Sequence, residues 1–206
     1  LRRITVCLTL IILLSGIVSA NVDNGVRAYN AGNLNGAVSL LLKHALANSS
    51  DKRVYWTLFM AYYKKNVFVE AVKWGKKYLS YGSDWDLTHK LALSYYFLKK
   101  WDSVIRIGQY SNVKFGDKHE MYNLMGMAYF YSGNYSLAEV SIRMANMLNA
   151  NNYLYRYNYG RILEKRKDYK GALKQLERSI ALNPRYPASV AVYNRVKPLA
   201  AGSGAN

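Results

Sequence analysis

The sequence predicts an all-α fold assembled from repeated helix–turn–helix units. Three observations predict it: an internal period of about 34 residues, small and large residues at fixed places within that period, and only 3 prolines in 206 residues. Five segments align: GNLNGA (32–37), NVFVEA (66–71), KWDSV (100–104), GNYSLA (133–138) and KDYKGA (167–172). Their last residues are Ala37, Ala71, Val104, Ala138 and Ala172, separated by 34, 33, 34 and 34 positions. A fixed period of this length marks stacked supersecondary units, each of which buries its apolar face only against its neighbours.

The first twenty residues, LRRITVCLTLIILLSGIVSA, stand outside the period. Arg2 and Arg3 precede an apolar run from Ile4 to about Leu14, and the segment closes with the small residues of Val18-Ser19-Ala20. This order predicts a signal peptide cleaved after Ala20. The run falls short of the roughly 20 apolar residues of a membrane span, so an uncleaved anchor is the second reading. Cys7, the single cysteine, lies inside this segment, which leaves residues 21–206 without a thiol for a disulfide, a nucleophile or a metal site. Without Arg2 and Arg3 the chain carries 27 basic and 12 acidic residues, a net charge of +15. These features point to an exported protein, periplasmic or secreted, and away from a nuclear one.

The repeats follow, expected at about 18–51, 52–84, 85–118, 119–152 and 153–186. Three residues before each aligned end stands a large side chain to wedge the turn: Leu34, Phe68, Trp101, Tyr135 and Tyr169. Twelve before stand Gly25, Phe59, Ala92, Gly126 and Gly160, where the first helix of a unit meets the second. A missing side chain lets two helix backbones approach, and Ala138 and Ala172 are the matching small residues on the second helix. Phe59 breaks the pattern, so looser packing is expected in the second unit. The stretch NNYLYRYNYG (151–160) alternates tyrosines as a half-buried strand would. Gly160 nevertheless occupies the helix-contact position, which predicts a helix with Tyr155 and Tyr159 turned inward and Tyr157 outward. Pro184 closes the last unit. Pro187 is placed to start a capping helix over 187–197, with Val190, Tyr193 and Val196 at helical spacing, and 198–206 reads as a flexible tail.

The Gly/Ala–x–x–Tyr pair, the turn aromatic and the following alanine together resemble the tetratricopeptide repeat, from about Val18 to Tyr186. The resemblance implies a right-handed superhelical solenoid of about five helix–turn–helix repeats with a C-terminal capping helix. It implies a non-catalytic protein–protein interaction scaffold, in a bacterial envelope, holding a polypeptide segment along the concave face of the first helices. On that face and its rim the expected groove residues are Trp56, Met60, Tyr63, His89, Tyr96, Phe130, Tyr131, Tyr157, Arg161 and Lys165. Phe97 also falls at the rim. Large aromatics are usually mostly buried, so packing between units is the first expectation for Tyr63, Tyr96 and Phe130. The polar carboxylate clamp of the family's chaperone-binding members is absent, because Trp56, Met60 and Leu124 stand in its places.

Chemistry has little to work with. His44, His89 and His119 lie in three different units without metal-ligand spacing and read as surface groups. Ser111 and Lys114 have a Ser-x-x-Lys spacing that is common by chance and lacks its partner motifs. No glycine-rich phosphate loop is present, no cofactor is implied, and the chain reads as no enzyme. Charge is uneven: residues 153–197 hold eleven basic and three acidic side chains, whereas 119–152 hold Arg143 against Glu120 and Glu139. The methionines of that fourth unit suit an adaptable core or contact surface. A protein or peptide ligand in an aromatic groove with a basic C-terminal end is therefore expected. The alternative is an acidic glycan, as in a polysaccharide-export assembly; nucleic acid fits the charge but not the export signal.

Overall fold

The structure is a computed structural model and describes residues 21–202. The expected signal peptide and the last four residues of the chain lie outside the described residues. The described chain is helical, with α1 over 21–30 and no strand. Then follow α2 (Leu34–Leu46), α3 (Lys52–Lys64), α4 (Phe68–Leu79), α5 (Trp85–Phe97), α6 (Trp101–Phe115), α7 (His119–Tyr131), α8 (Tyr135–Leu148), α9 (Tyr153–Lys165), α10 (Tyr169–Leu182) and α11 (Pro187–Gly202). The chain divides into two compact units between Ser94 and Tyr95, inside α5.

The turn within each helix pair is built the same way five times. Gly32, Asn66, Lys99, Gly133 and Lys167 have φ of 79°, 58°, 55°, 83° and 64°. At each, the next residue's N–H donates to the carbonyl five residues back, as Asn33 does to Ala28 and Asp168 to Leu163. This left-handed cap satisfies the last carbonyls of the first helix and reverses the chain. The following residue caps the second helix where it can. Side chains of Asn33, Asn134 and Asp168 accept from Gly36, Leu137 and Gly171 N–H groups, but Val67 and Lys100 offer no such oxygen.

In the first unit, Gly25 of α1 lies where an added Cβ would come 2.5 Å from Leu41 of α2. The expected looseness around Phe59 is corrected by the structure. Phe59 is fully buried, and Gly75 of α4 supplies the missing volume: a Cβ there would come 2.8 Å from the Phe59 ring. Large and small have changed helices, and the packing is close.

In the second unit, α7 packs on α6 and α8, and α9 on α8, α10 and α11. Gly126 brings α7 within reach of the α8 backbone, and Gly160 brings α9 against Leu176 and Ala172 of α10. Ala138 and Ala172 are fully buried, as is Ile142 beside the small residue of α7. The alternating tyrosines therefore lie on a helix: Tyr155 is buried, while Tyr157 and Tyr159 are half-buried. Of the methionines, Met121, Met125 and Met127 are core residues, but Met147 is 74% exposed.

At the C-terminal end the structure departs from expectation twice. Helix α11 runs on to Gly202 with Pro198 inside it, so 198–202 are helical rather than a tail. Its buried row is Ser189, Val192, Val196 and Ala200, and Val190 is exposed. The rotation follows from a contact the sequence pattern does not show. The buried Ser179 and Ser189 hydroxyls hydrogen-bond at 2.7 Å, and Ser179 also donates to the Tyr153 carbonyl. Among the described residues no helix is long and apolar enough to cross a membrane.

Candidate functional site

Four of the ten expected groove residues lie in the first unit, where the structure gives them packing partners. Trp56 meets Tyr29 edge-on at 5.7 Å, and it flanks, with Met60, a core of Tyr29, Ala37 and Ala61. Tyr63 stacks on Phe59 at 5.9 Å and meets Phe68 edge-on at 6.0 Å; burial pushes its phenol up. His89 lies flat on Trp85, 5.5 Å away.

Five others come together in the second unit, around one cation. Arg161, half-buried on α9, sets its guanidinium carbon 4.7 Å from the Phe130 ring centre, 5.5 Å from Tyr157 and 5.8 Å from Tyr131. Tyr96 packs edge-on against Tyr131 at 6.1 Å. Tyr186, between α10 and α11, closes on Tyr157 at 5.2 Å. A guanidinium over aromatic faces gains cation–π attraction and keeps its hydrogen-bond donors. The arrangement follows from the repeat: Phe130 lies four residues after Gly126 of α7, and Tyr157 and Arg161 lie three before and one after Gly160 of α9, offsets that share one face of a first helix.

Glu164, one turn from Arg161, is the carboxylate positioned to neutralise it. It does not, because Arg195 of α11 grips both its oxygens at 2.8 Å. Among the described residues no carboxylate lies within ion-pair distance of Arg161. The cation acts instead on Tyr131. Burial pushes that phenol up, but hydrogen bonding and charge from Arg161, with a hydrogen bond from Tyr96, outweigh it and hold the phenol below its usual value. Tyr96, more deeply buried, is pushed well above it.

Beside this cluster a cleft of about 450 Å³ opens at the α5–α6 turn, lined by Tyr96, Phe97, Lys99, Trp101 and Tyr131. Trp101 stacks on Tyr131 at 5.0 Å with the planes 18° apart. Phe97 and Tyr131 are 54% and 45% exposed. Trp101 and Lys99 also line a second, charged cleft, with Lys100, Arg106 and Asp102. In the sequence Trp101 stands out only as a turn wedge, and neither Lys99 nor Tyr186 stands out as a site residue. The pair Lys99-Lys100 beside the only tryptophan among the five turn residues was the available signal. Lys165 is exposed at the end of α9, with no ion pair or ring contact among the described residues.

The remaining sequence features are located as follows. His119 is not a simple surface group, since its Nδ1 lies 2.9 Å from the hydroxyl of buried Tyr155. Ser111 is buried while Lys114 is exposed. Among the described residues no three His, Cys, Asp or Glu side chains gather at a metal-binding distance.

No family model matches the chain, and no curated protein matches it. Solved structures do. YrrB, described as a TPR protein with an unusual peptide-binding site, superposes with a TM-score of 0.74 at 18% identity, over 84% of this chain and 90% of its own. A MamA structure gives 0.73 at 14% identity over 82% and 92%. TTC0263, a TPR protein of Thermus thermophilus, gives 0.60 at 16% identity over 87% and 98%. At these identities the likeness establishes the tetratricopeptide-repeat fold.

Proposed function

We propose that this chain is a non-catalytic scaffold that binds a polypeptide segment on the first-helix face of its second unit, outside the cytoplasm in a cell envelope. Its repeats are read at about 18–51, 52–84, 85–118, 119–152 and 153–186. One observation carries the binding reading: Arg161 is a half-buried cation set among aromatic rings, and Arg195 has taken the nearest carboxylate. A cation withdrawn from water without a counter-charge is costly to keep, and a ligand carboxylate offsets that cost with two parallel hydrogen bonds. The aromatic surround supplies contact area of the kind that dominates interfaces.

A peptide array probed with wild type and with Arg161→Gln tests the reading. Peptides that bind wild type are expected to lose about tenfold or more in affinity on Arg161→Gln, with melting temperature nearly unchanged. Binding that ignores Arg161→Gln but disappears with Lys73→Glu and Lys76→Glu would move the ligand to the second helices. The location rests on residues 1–20, and intact-mass measurement tests it: mature protein is expected to begin at Asn21.

A further inference from the structure

We propose that the α5–α6 cleft and the Arg161 guanidinium form one bipartite site. It would accept a segment carrying a large apolar side chain within about two residues of a carboxylate. The inference rests on the peptide-binding reading above and names what the peptide must contain.

Tyr131 is the wall the two halves share. It lines the cleft and stacks on Trp101, and its ring centre lies 5.8 Å from the Arg161 guanidinium carbon. An extended chain advances roughly 3.3 Å per residue and repeats its side-chain direction every second residue, about 7 Å on. A side chain in the cleft and a carboxylate two positions along therefore match a separation of one aromatic ring.

The cleft is not a general product of the repeat turn. Its counterpart at the α7–α8 turn is lined by Ser132, Gly133, Asn134, Tyr135, Ser136 and Arg166, which is a polar surface. The α5–α6 turn instead sets Trp101 beside Tyr131, Lys99 and Lys100. Charge selects the occupant: Lys99 stands at the cleft, Arg161 has no carboxylate partner among the described residues, and residues 153–197 carry eleven cations against three anions.

Acetylated, amidated heptapeptides of Gly and Ser test the site, with Phe at the third position and Asp or Asn at the fourth, fifth or sixth. Titration calorimetry is expected to find the Asp peptides tightest with Asp at the fifth position, and at least tenfold tighter than the matching Asn peptide. Arg161→Gln should erase the Asp–Asn difference. Phe97→Ser and Lys99→Gly should each weaken binding at least threefold; a glycine at 99 suits the φ of 55°. Saturating peptide should also shift the Tyr131 phenol titration upward, as its cation turns to the ligand. Peptide binding that depends on Arg161 but not on Phe97 or Lys99 overturns the bipartite site and leaves the proposed function standing. Absence of binding by every peptide at millimolar concentration, or salt-sensitive binding of a polyuronate in their place, overturns both.

Discussion

Phe59 and Gly75 show how one contact is shared between two helices. In the pairs α1/α2 and α9/α10 the first helix contributes glycine and the second contributes Leu41 or Leu176; in α3/α4 the sizes are exchanged. Gly75→Leu alone overfills the contact and is expected to cost about 1–3 kcal/mol or more. Phe59→Gly alone leaves a cavity and costs at least the roughly 3–5 kcal/mol of a Phe→Ala change. The double substitution recreates the arrangement of the first pair, so its cost should be well below the sum, as a double-mutant cycle of thermal melts would measure. Tyr131 makes the second prediction at this scale. Its phenol is held below the ordinary value, so it should ionise ahead of Tyr155, which burial pushes up to about 12. By linkage, its ionised form stabilises the fold above the unfolded-state value, and that contribution is lost as pH falls through the depressed folded value. Absorbance at 295 nm should show an early phase that Tyr131→Phe removes and Arg161→Met moves to higher pH.

At the scale of the element, all five helix pairs use one turn but not equally well. Lys99 and Lys167 hold a left-handed conformation that costs a side-chain-bearing residue about 1–2 kcal/mol. Glycine relieves that cost and returns about 0.5–1 kcal/mol of chain entropy. Lys167→Gly is therefore expected to stabilise by about 0.5–1 kcal/mol and raise the melting temperature by about 1–3 °C. Val67, the residue before helix α4, offers no side-chain cap, where α2, α8 and α10 have one. Val67→Asn should add about 1 kcal/mol, measured by urea titration of the helical signal at 222 nm. A melt unchanged by both substitutions would show that these turns do not set the stability of their pairs.

At the scale of the whole molecule, stability should be divisible, because α2 to α4 and α6 to α11 pack chiefly on sequence neighbours within their own compact unit. Ala138 is fully buried where α8 meets α7. Ala138→Arg overfills that contact, at about 1–3 kcal/mol, and buries a charge without a partner. Hydrogen exchange should then show faster exchange in α7, α8 and α9, while α2 to α4 keep their protection. Equal loss along the whole chain would make the fold one cooperative body instead.

The period of 34 residues, the small residues at helix contacts and the turn positions determined the fold by themselves, since each is a local demand of the backbone repeated five times. Repetition also exposed NNYLYRYNYG as helix: Gly160 belongs to the series of Gly25 and Gly126, and no strand reading explains that series. The site was legible only in outline. Arg161, Tyr157, Tyr131, Phe130 and Tyr96 could be named from register, but not which of the ten expected residues would meet. Tertiary structure decided that Trp56, Tyr63 and His89 lie against neighbouring rings. It also decided that Gly75 admits Phe59, and that Ser179 turns α11 through its bond to Ser189. Above all it decided that Arg195, thirty-one residues away, takes Glu164 and leaves Arg161 to the rings. The reason is physical: the period specifies where a side chain starts, whereas burial and charge pairing depend on what a distant helix brings to meet it.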